Sequence, residues 1–303
     1  MADLLPAKTG PTARSPRARL RELLAAPEPL LAPGSYDALS ARLIEQAGFD
    51  AVYMTGFGST AGLLGRLDVG LLTGTEMVDN ARRIVAAVDR PVIADADTGY
   101  GNAINVLRTV AAYEQAGVAG IHLEDQVMPK KCGHMSGKAV IPADEMVGKL
   151  RAAVAARRDP DFVLIARTDA AAVHGLDEAI DRAHRYAEAG ADALFVEAPT
   201  SEADIARVAE ELRGVAPLVF NWAEGGRTPP LPLARIRELG FALVIFPIGT
   251  LLAATAGIRT LLAQLRTAGT PTEALPGLPS FTEFTDLIGL PGITELEQRF
   301  SAR

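Results

Sequence analysis

The sequence predicts an α/β fold: a (β/α)8 TIM-type barrel with extra C-terminal helices. Three observations carry that prediction. Helical stretches end at Ala47-Gly48, Ala116-Gly117, Ala189-Gly190 and Leu239-Gly240. A short apolar run follows each glycine, the signature of a parallel strand buried on both faces. Seven residues after each glycine stands Thr55, Glu124, Glu197 or Pro247, so one helix–Gly–strand phrase recurs along the chain. Glycine just past a helix is the common C-cap because it alone enters the left-handed region cheaply.

Taken in order, residues 1–25 form a basic arm carrying Arg14, Arg17, Arg19 and Arg21. No apolar segment follows these arginines, which excludes a secretory signal and leaves a solvated arm or an organelle transit peptide. Residues 26–270 hold the barrel. Strands are expected at 30–32, 52–54, 92–94, 121–123, 162–166, 193–196, 218–220 and 243–246, eight in all. Helical patterns at 38–46, 76–88, 103–115, 177–188 and 201–212 alternate with them, as a barrel requires. A doubly wound open sheet is the alternative, but it needs fewer strands and a glycine-rich phosphate turn. The first turn, Pro33-Gly34-Ser35-Tyr36-Asp37, reads instead as a helix cap. Residues 271–303 break the rhythm: Pro271, Pro276 and Pro279 mark a linker, then Phe281, Phe284 and Ile288 recur at helical spacing. That apolar stripe must be covered by the barrel's own outer face or by a neighbouring subunit.

Composition narrows the partners. An apolar content of 49% over 303 residues supports a large core, and a formal charge of −7 argues against nucleic acid. No apolar run approaches the ~20 residues of a membrane span. A single cysteine, Cys132, excludes an internal disulfide framework and fits the reducing cytoplasm.

The predicted strand ends are polar. Tyr53 lies in the second strand, with Thr55, Gly56 and Phe57 after it; Asp95 and Asp97 follow the third, Glu124 the fourth, Arg167 and Asp169 the fifth, Glu197 the sixth and Asn221 the seventh. In a barrel this rim is where catalysis is built. Asp95 and Asp97 stand two apart, so strand alternation would aim both one way. With Glu124 and Asp68 they offer hard oxygens of the kind Mg2+ accepts; the competing reading is a helix N-cap by Asp97. Arg167 suits a carboxylate, or a structural pair with Glu197 or Asp169. His122, inside a strand, reads as a core histidine, and Trp222 as a candidate wall.

Residues 124–138, Glu-Asp-Gln-Val-Met-Pro-Lys-Lys-Cys-Gly-His-Met-Ser-Gly-Lys, are the most informative stretch. Cys132 sits beside Lys130, Lys131, Gly133 and His134. Neighbouring cations lower a thiol's pKa, which points to a proton donor or nucleophile beside an anion site. A buried apolar cysteine is the bland alternative.

This loop resembles the Lys-Lys-Cys-Gly-His loop of the isocitrate lyase / phosphoenolpyruvate mutase superfamily, lyase branch. Tyr53-Met54-Thr55-Gly56 is similar to its Tyr-x-Ser-Gly segment. Asn221 to Pro229, with Glu224-Gly225-Gly226, looks like the branch of dimethylmalate lyase, oxaloacetate hydrolase and petal death protein rather than that of methylisocitrate lyase. The resemblance implies Mg2+, or Mn2+ in its place, at Asp95, Asp97 and Glu124. It implies catalytic roles for Cys132, Tyr53, Asp68, Lys130 and His134, with Tyr53 or Asp68 as the base. It implies substrate contacts at Thr55, Gly56, Phe57, Gly133, Arg167, Glu197 and Asn221. The expected reaction is cleavage of a carbon–carbon bond in a 2-hydroxy di- or tricarboxylate, methylisocitrate- or dimethylmalate-like, to a 2-oxo acid and a carboxylate. Oxaloacetate hydrolysis or decarboxylation, or carboxyphosphonoenolpyruvate mutase-type chemistry, is the alternative. C-terminal helices exchanged between subunits, in a homotetramer built as a dimer of swapped dimers, are also implied.

Overall fold

The four phrase-ending glycines do what their positions predict. Gly48, Gly117, Gly190 and Gly240 all have φ between 85° and 101° and each turns the chain from a helix into a strand. The computed structural model describes residues 14–301. In chain order the elements are α1 (Pro16–Leu24), β1 (Leu30–Ser35), α2 (Ala38–Gln46), β2 (Val52–Met54), α3 (Gly56–Leu64), α4 (Gly74–Ala87), β3 (Val92–Asp95), α5 (Ala103–Ala116), β4 (Gly120–Glu124) and α6 (Ala143–Ala156). There follow β5 (Val163–Thr168), α7 (Leu176–Glu188), β6 (Ala193–Val196), α8 (Glu202–Glu211), β7 (Val219–Asn221), α9 (Leu233–Leu239), β8 (Leu243–Phe246), α10 (Gly249–Ala268), α11 (Phe281–Leu287) and α12 (Leu290–Phe300).

All eight strands are parallel, in the order β6-β5-β4-β3-β2-β1-β8-β7. A single parallel bridge, Leu194 to Leu218, brings β6 and β7 together and nearly closes the barrel. The interior is filled by alternate strand residues, among them Tyr53, Ile93, Ile165, Phe195 and Ile245. A second apolar layer packs the helices on the outside.

The basic arm differs from its expectation. Residues 16–24 are helix α1, whose Leu20 and Leu24 join the barrel-interior cluster. Leu20 is fully buried against the start of β4, so α1 plugs the N-terminal end. Arg17 donates to the Val118 carbonyl at 3.2 Å and to Asp159 at 2.9 Å, and Arg21 to Asp192 at 3.0 Å. These arginines anchor the plug; the part of the arm before residue 14 lies outside the described residues.

At the other end the stripe of Phe281, Phe284 and Ile288 falls on α11 and its C-cap, and Gly289, at φ 101°, separates it from α12. The twenty residues of α10 include none that is buried. Among the described residues no helix is long and apolar enough to cross a membrane.

Candidate active site

Register assembles the site. Asp95 pairs with His122, and Glu124 with Arg167, across neighbouring strands. Alternation carries the inward face from Ile93 to Asp95, Ile165 to Arg167, Phe195 to Glu197 and Val219 to Asn221. The polar residues therefore sit one layer above the apolar barrel interior, at the C-terminal mouth. They line a cavity of about 250 Å3, and of the predicted site residues only Gly56, Asp97 and Glu124 do not line it.

The acid side comes first. Asp95 is 4% exposed and accepts the Gly56 amide at 3.2 Å and the Asp97 amide at 2.9 Å. A methyl group on Gly56 would collide with that carboxylate, which explains the glycine. Burial pulls the Asp95 carboxyl up, but His122, Lys130, Arg167 and the Asp97 amide outweigh it and hold it below its ordinary value. Lys130 Nζ lies 2.6 Å from Asp68 and 2.7 Å from Asp97. Burial and the charges of Asp95 and Asp68 nevertheless push Asp97 up to about 6, against the pull of Lys130. Glu124 meets Arg167 Nη1 at 3.1 Å, yet burial and Asp169 keep its carboxyl well above the usual range. Its other oxygen is buried without a partner.

Two expectations change here. Asp97 lies beyond the end of β3 with φ +47°, so strand alternation does not orient it. It does not cap α5 either; Asn102 does. The amides of Thr55 and Gly56, expected to hold substrate, are engaged by the Ser35 carbonyl at 3.0 Å and by Asp95.

Arg167 pairs with both of the carboxylates its structural role allowed, Asp169 and Glu197. It donates to Asp169 from Nε at 3.0 Å and Nη2 at 3.1 Å, and Glu197 stands 3.5 Å away. Its guanidinium also lies over Phe195, 5.3 Å from the ring centre. Burial lowers its pKa, but Asp169, Glu124 and Glu197 together raise it well above normal. Glu197 is raised by burial yet driven well below the carboxylate range by Arg167 and His134. Asn221 Nδ2 donates to both Glu197 oxygens, at 3.2 and 3.3 Å.

The Cys132 loop lies over this cluster. Its base is an antiparallel bridge between Gln126 and Val140, and the Gln126 amide brackets Lys131, accepting from its N–H at 3.0 Å and donating to its carbonyl at 2.7 Å. Gly133 is pressed onto Arg167 and Glu197: a Cβ there would come within 2.6 Å of Arg167 Nη2. His134 Nε2 reaches Glu197 at 3.1 Å. The thiol reverses the expected shift. Burial pushes Cys132 up and Glu197 adds to it, against the pull of the His134 amide and Arg167, so the sulfur keeps its proton. That suits a proton donor.

Sequence reasoning under-read His122. It is buried, its Nε2 lies 2.8 Å from the Tyr53 hydroxyl and 3.6 Å from Asp95, and burial lowers its pKa. Its position two before Glu124 on the same strand carried the signal. Lys138, Glu224, Pro247 and Ile248 were also missed; the last three line the cavity. Trp222 does not line it; its indole donates to the Leu231 carbonyl at 3.0 Å.

A barrel that gathers buried acids, an arginine and a protonated thiol around one small cavity at its C-terminal mouth defines an enzyme of small-acid chemistry. The chain belongs to the phosphoenolpyruvate phosphomutase family, matched over residues 20–266, within the phosphoenolpyruvate mutase / isocitrate lyase superfamily. It is 49% identical over 284 residues to 2,3-dimethylmalate lyase of Eubacterium barkeri, covering 94% of this chain and 98% of that protein. Among solved structures it resembles oxaloacetate acetylhydrolase in complex with 3,3-difluorooxalacetate, with a TM-score of 0.89, 39% identity and coverage of 95% and 98% of the two chains. It also resembles phosphonopyruvate hydrolase in complex with oxalate and Mg++, with a TM-score of 0.87, 33% identity and coverage of 95% and 99%.

Proposed function

We propose that the enzyme cleaves the C2–C3 bond of a 2-hydroxy di- or tricarboxylate of the dimethylmalate or methylisocitrate kind, releasing a 2-oxo acid and a carboxylate. The observation that carries this reading is the Cys132 thiol lining the same cavity as Asp95, Lys130 and Arg167.

The acid cluster fits a divalent cation. Glu124 has an orphaned buried oxygen, and burial, with the neighbouring carboxylates adding to it, raises both Asp97 and Glu124 against the pull of Lys130 and Arg167. Among the described residues no three Asp, Glu, His or Cys side chains form a direct cage. Asp95, Asp97 and Glu124 are the residues that would hold Mg2+, an ion that keeps several of its own waters. When bound, the ion would neutralise negative charge developing on the substrate's oxygens.

Arg167 grips a substrate carboxylate, backed by Asp169. Burial keeps the Tyr53 phenol protonated, its pKa raised further by Asp95. Tyr53 therefore orients the substrate hydroxyl, and Asp68 is the base that accepts its proton. The C2–C3 electron pair then passes to C3 and the adjoining carboxylate while C2 becomes the new carbonyl. Lys130 and His134 stabilise the accumulating charge. The Cys132 proton goes to C3 and completes the carboxylate product. The closed loop excludes water from the carbanion.

The uncovered length of α10, with Leu252, Ile258 and Leu262 about half exposed, supports exchange of C-terminal helices in a dimer of swapped dimers. The lone thiol supports a cytoplasmic location. The deciding experiment supplies dimethylmalate, methylisocitrate, oxaloacetate and phosphonopyruvate in turn, with Mg2+, and follows products by NMR. Release of a 2-oxo acid from a 2-hydroxy acid is expected; turnover of oxaloacetate or phosphonopyruvate alone rejects the lyase reading in favour of the alternative.

A further inference from the structure

Lys138 is a cation on the Cys132 loop that the reaction as written does not use. Its side chain is 1% exposed, although it lies just inside the loop's base. The ammonium lies 2.7 Å from Asp169 Oδ1 and also donates to the carbonyl of Gly133, the residue between Cys132 and His134. Asp169 is a fixed point: fully buried, it receives Arg167 twice, and its own amide donates to Asp125 Oδ1 at 2.9 Å. Asp125 is held in turn by Thr168, Tyr186 and Arg182, at 2.7, 2.8 and 3.1 Å. Lys138 thus joins the Cys132–His134 stretch of the loop to the brace behind Arg167.

We propose that Lys138 is a positioning residue: its ammonium, shared between the Gly133 carbonyl and Asp169, seats the Cys132–His134 stretch on Arg167 and Glu197. The geometry requires such a tie. The Gly133 peptide packs so closely on Arg167 and Glu197 that a Cβ would not fit, and such an approach is lost if the segment lifts slightly. A neutral side chain at 138 would leave the Gly133 carbonyl without its charged donor. Asp169 would then balance one cation instead of two. The seated loop loses stability relative to the lifted one, and Cys132 spends less time at the carbanion.

The effect on turnover rests on the lyase reading; the effect on the thiol does not. Because Cys132 is the only cysteine, its alkylation by iodoacetamide reports loop seating directly, with oxalate and Mg2+ as the closing probe. Lys138→Met is expected to alkylate ~10–100-fold faster than wild type, the scale of losing a charge-assisted hydrogen bond. Its kcat is expected to fall by ~10²-fold, as small misplacements of a reacting group do, with KM much less changed and Tm within a few degrees. Lys138→Arg should recover most of the thiol protection. Wild-type alkylation in a folded Lys138→Met protein overturns the proposal, as does a Lys138→Arg protein no better protected than Lys138→Met. If Lys138→Met does not fold, Lys138→Gln gives the same comparison. If the thiol results hold while no 2-hydroxy acid is cleaved, the lyase reading fails and the tie stands.

Discussion

His134 donates from Nε2 to Glu197 Oε1 at 3.1 Å, because its Nδ1 already accepts the Arg227 amide at 2.9 Å. A backbone amide in the segment after β7 therefore fixes which imidazole nitrogen carries the proton. Gly226 permits the approach, since a methyl group there would collide with that ring. Glu197 is then shared by His134, Arg167 and Asn221, and the loop, the barrel rim and the β7 segment meet on one carboxylate.

Glu197→Gln keeps the shape and removes the charge that faces Arg167 and His134. Losing these buried pairs should lower kcat/KM by roughly 10–10³-fold, within the range for breaking buried charged contacts. Steady-state kinetics on the substrate found by screening check this, with circular dichroism to confirm folding.

Cys132→Ser should reduce kcat by ~10²–10⁴, the usual contribution of a positioned proton donor. Binding of a 2-oxo acid with Mg2+, followed by calorimetry, should stay close to wild type. A serine variant retaining most of its kcat removes the proton-donor role.

The raised Cys132 pKa sets a pH signature. The folded state favours the neutral thiol, so this group's contribution to stability is complete below the unfolded thiol pKa and is lost as pH rises through the folded one. Iodoacetamide alkylation should therefore keep accelerating above ~8.5, the value for a free cysteine. Alkylation that levels off below that pH contradicts the assignment.

Gly133→Ala should separate chemistry from folding. Its Cβ would press on Arg167 and Glu197, so the loop cannot seat and kcat should fall by ~10²-fold. The loop is exposed on its other side, so Tm should barely move. Leu20→Ala is the converse: at 0% exposure under the barrel it should cost about 2–5 kcal/mol by chemical denaturation and leave kcat unchanged.

Charged substitutions in α10, such as Ile258→Glu with Leu262→Glu, should lower the mass of the assembly in analytical ultracentrifugation if that face is covered by another copy. Both residues are more than half exposed in the single chain.

The eight strands were legible because most are buried on both faces and read as near-continuous apolar runs, with His122 interrupting that of β4. Asp95, Glu124, Arg167, Glu197 and Asn221 were legible as the first polar residues after those runs, and the structure places all five at the mouth. Lys138 was not: nothing in its spacing tells that it folds back to Asp169, thirty-one residues later. His122 reads as core by its neighbours and becomes part of the site only through a partner sixty-nine residues earlier, Tyr53.

The sequence by itself determined the barrel, the order of its elements and the set of acids, cations and thiol at one rim, because periodicity and glycine caps are local properties. Only the tertiary structure decided the burial that raises the Cys132 pKa, the orientation of Asp97 beyond its strand and the place of Lys138 behind Arg167. Burial and charge pairing depend on which distant residues meet, and the barrel's closure brings them together.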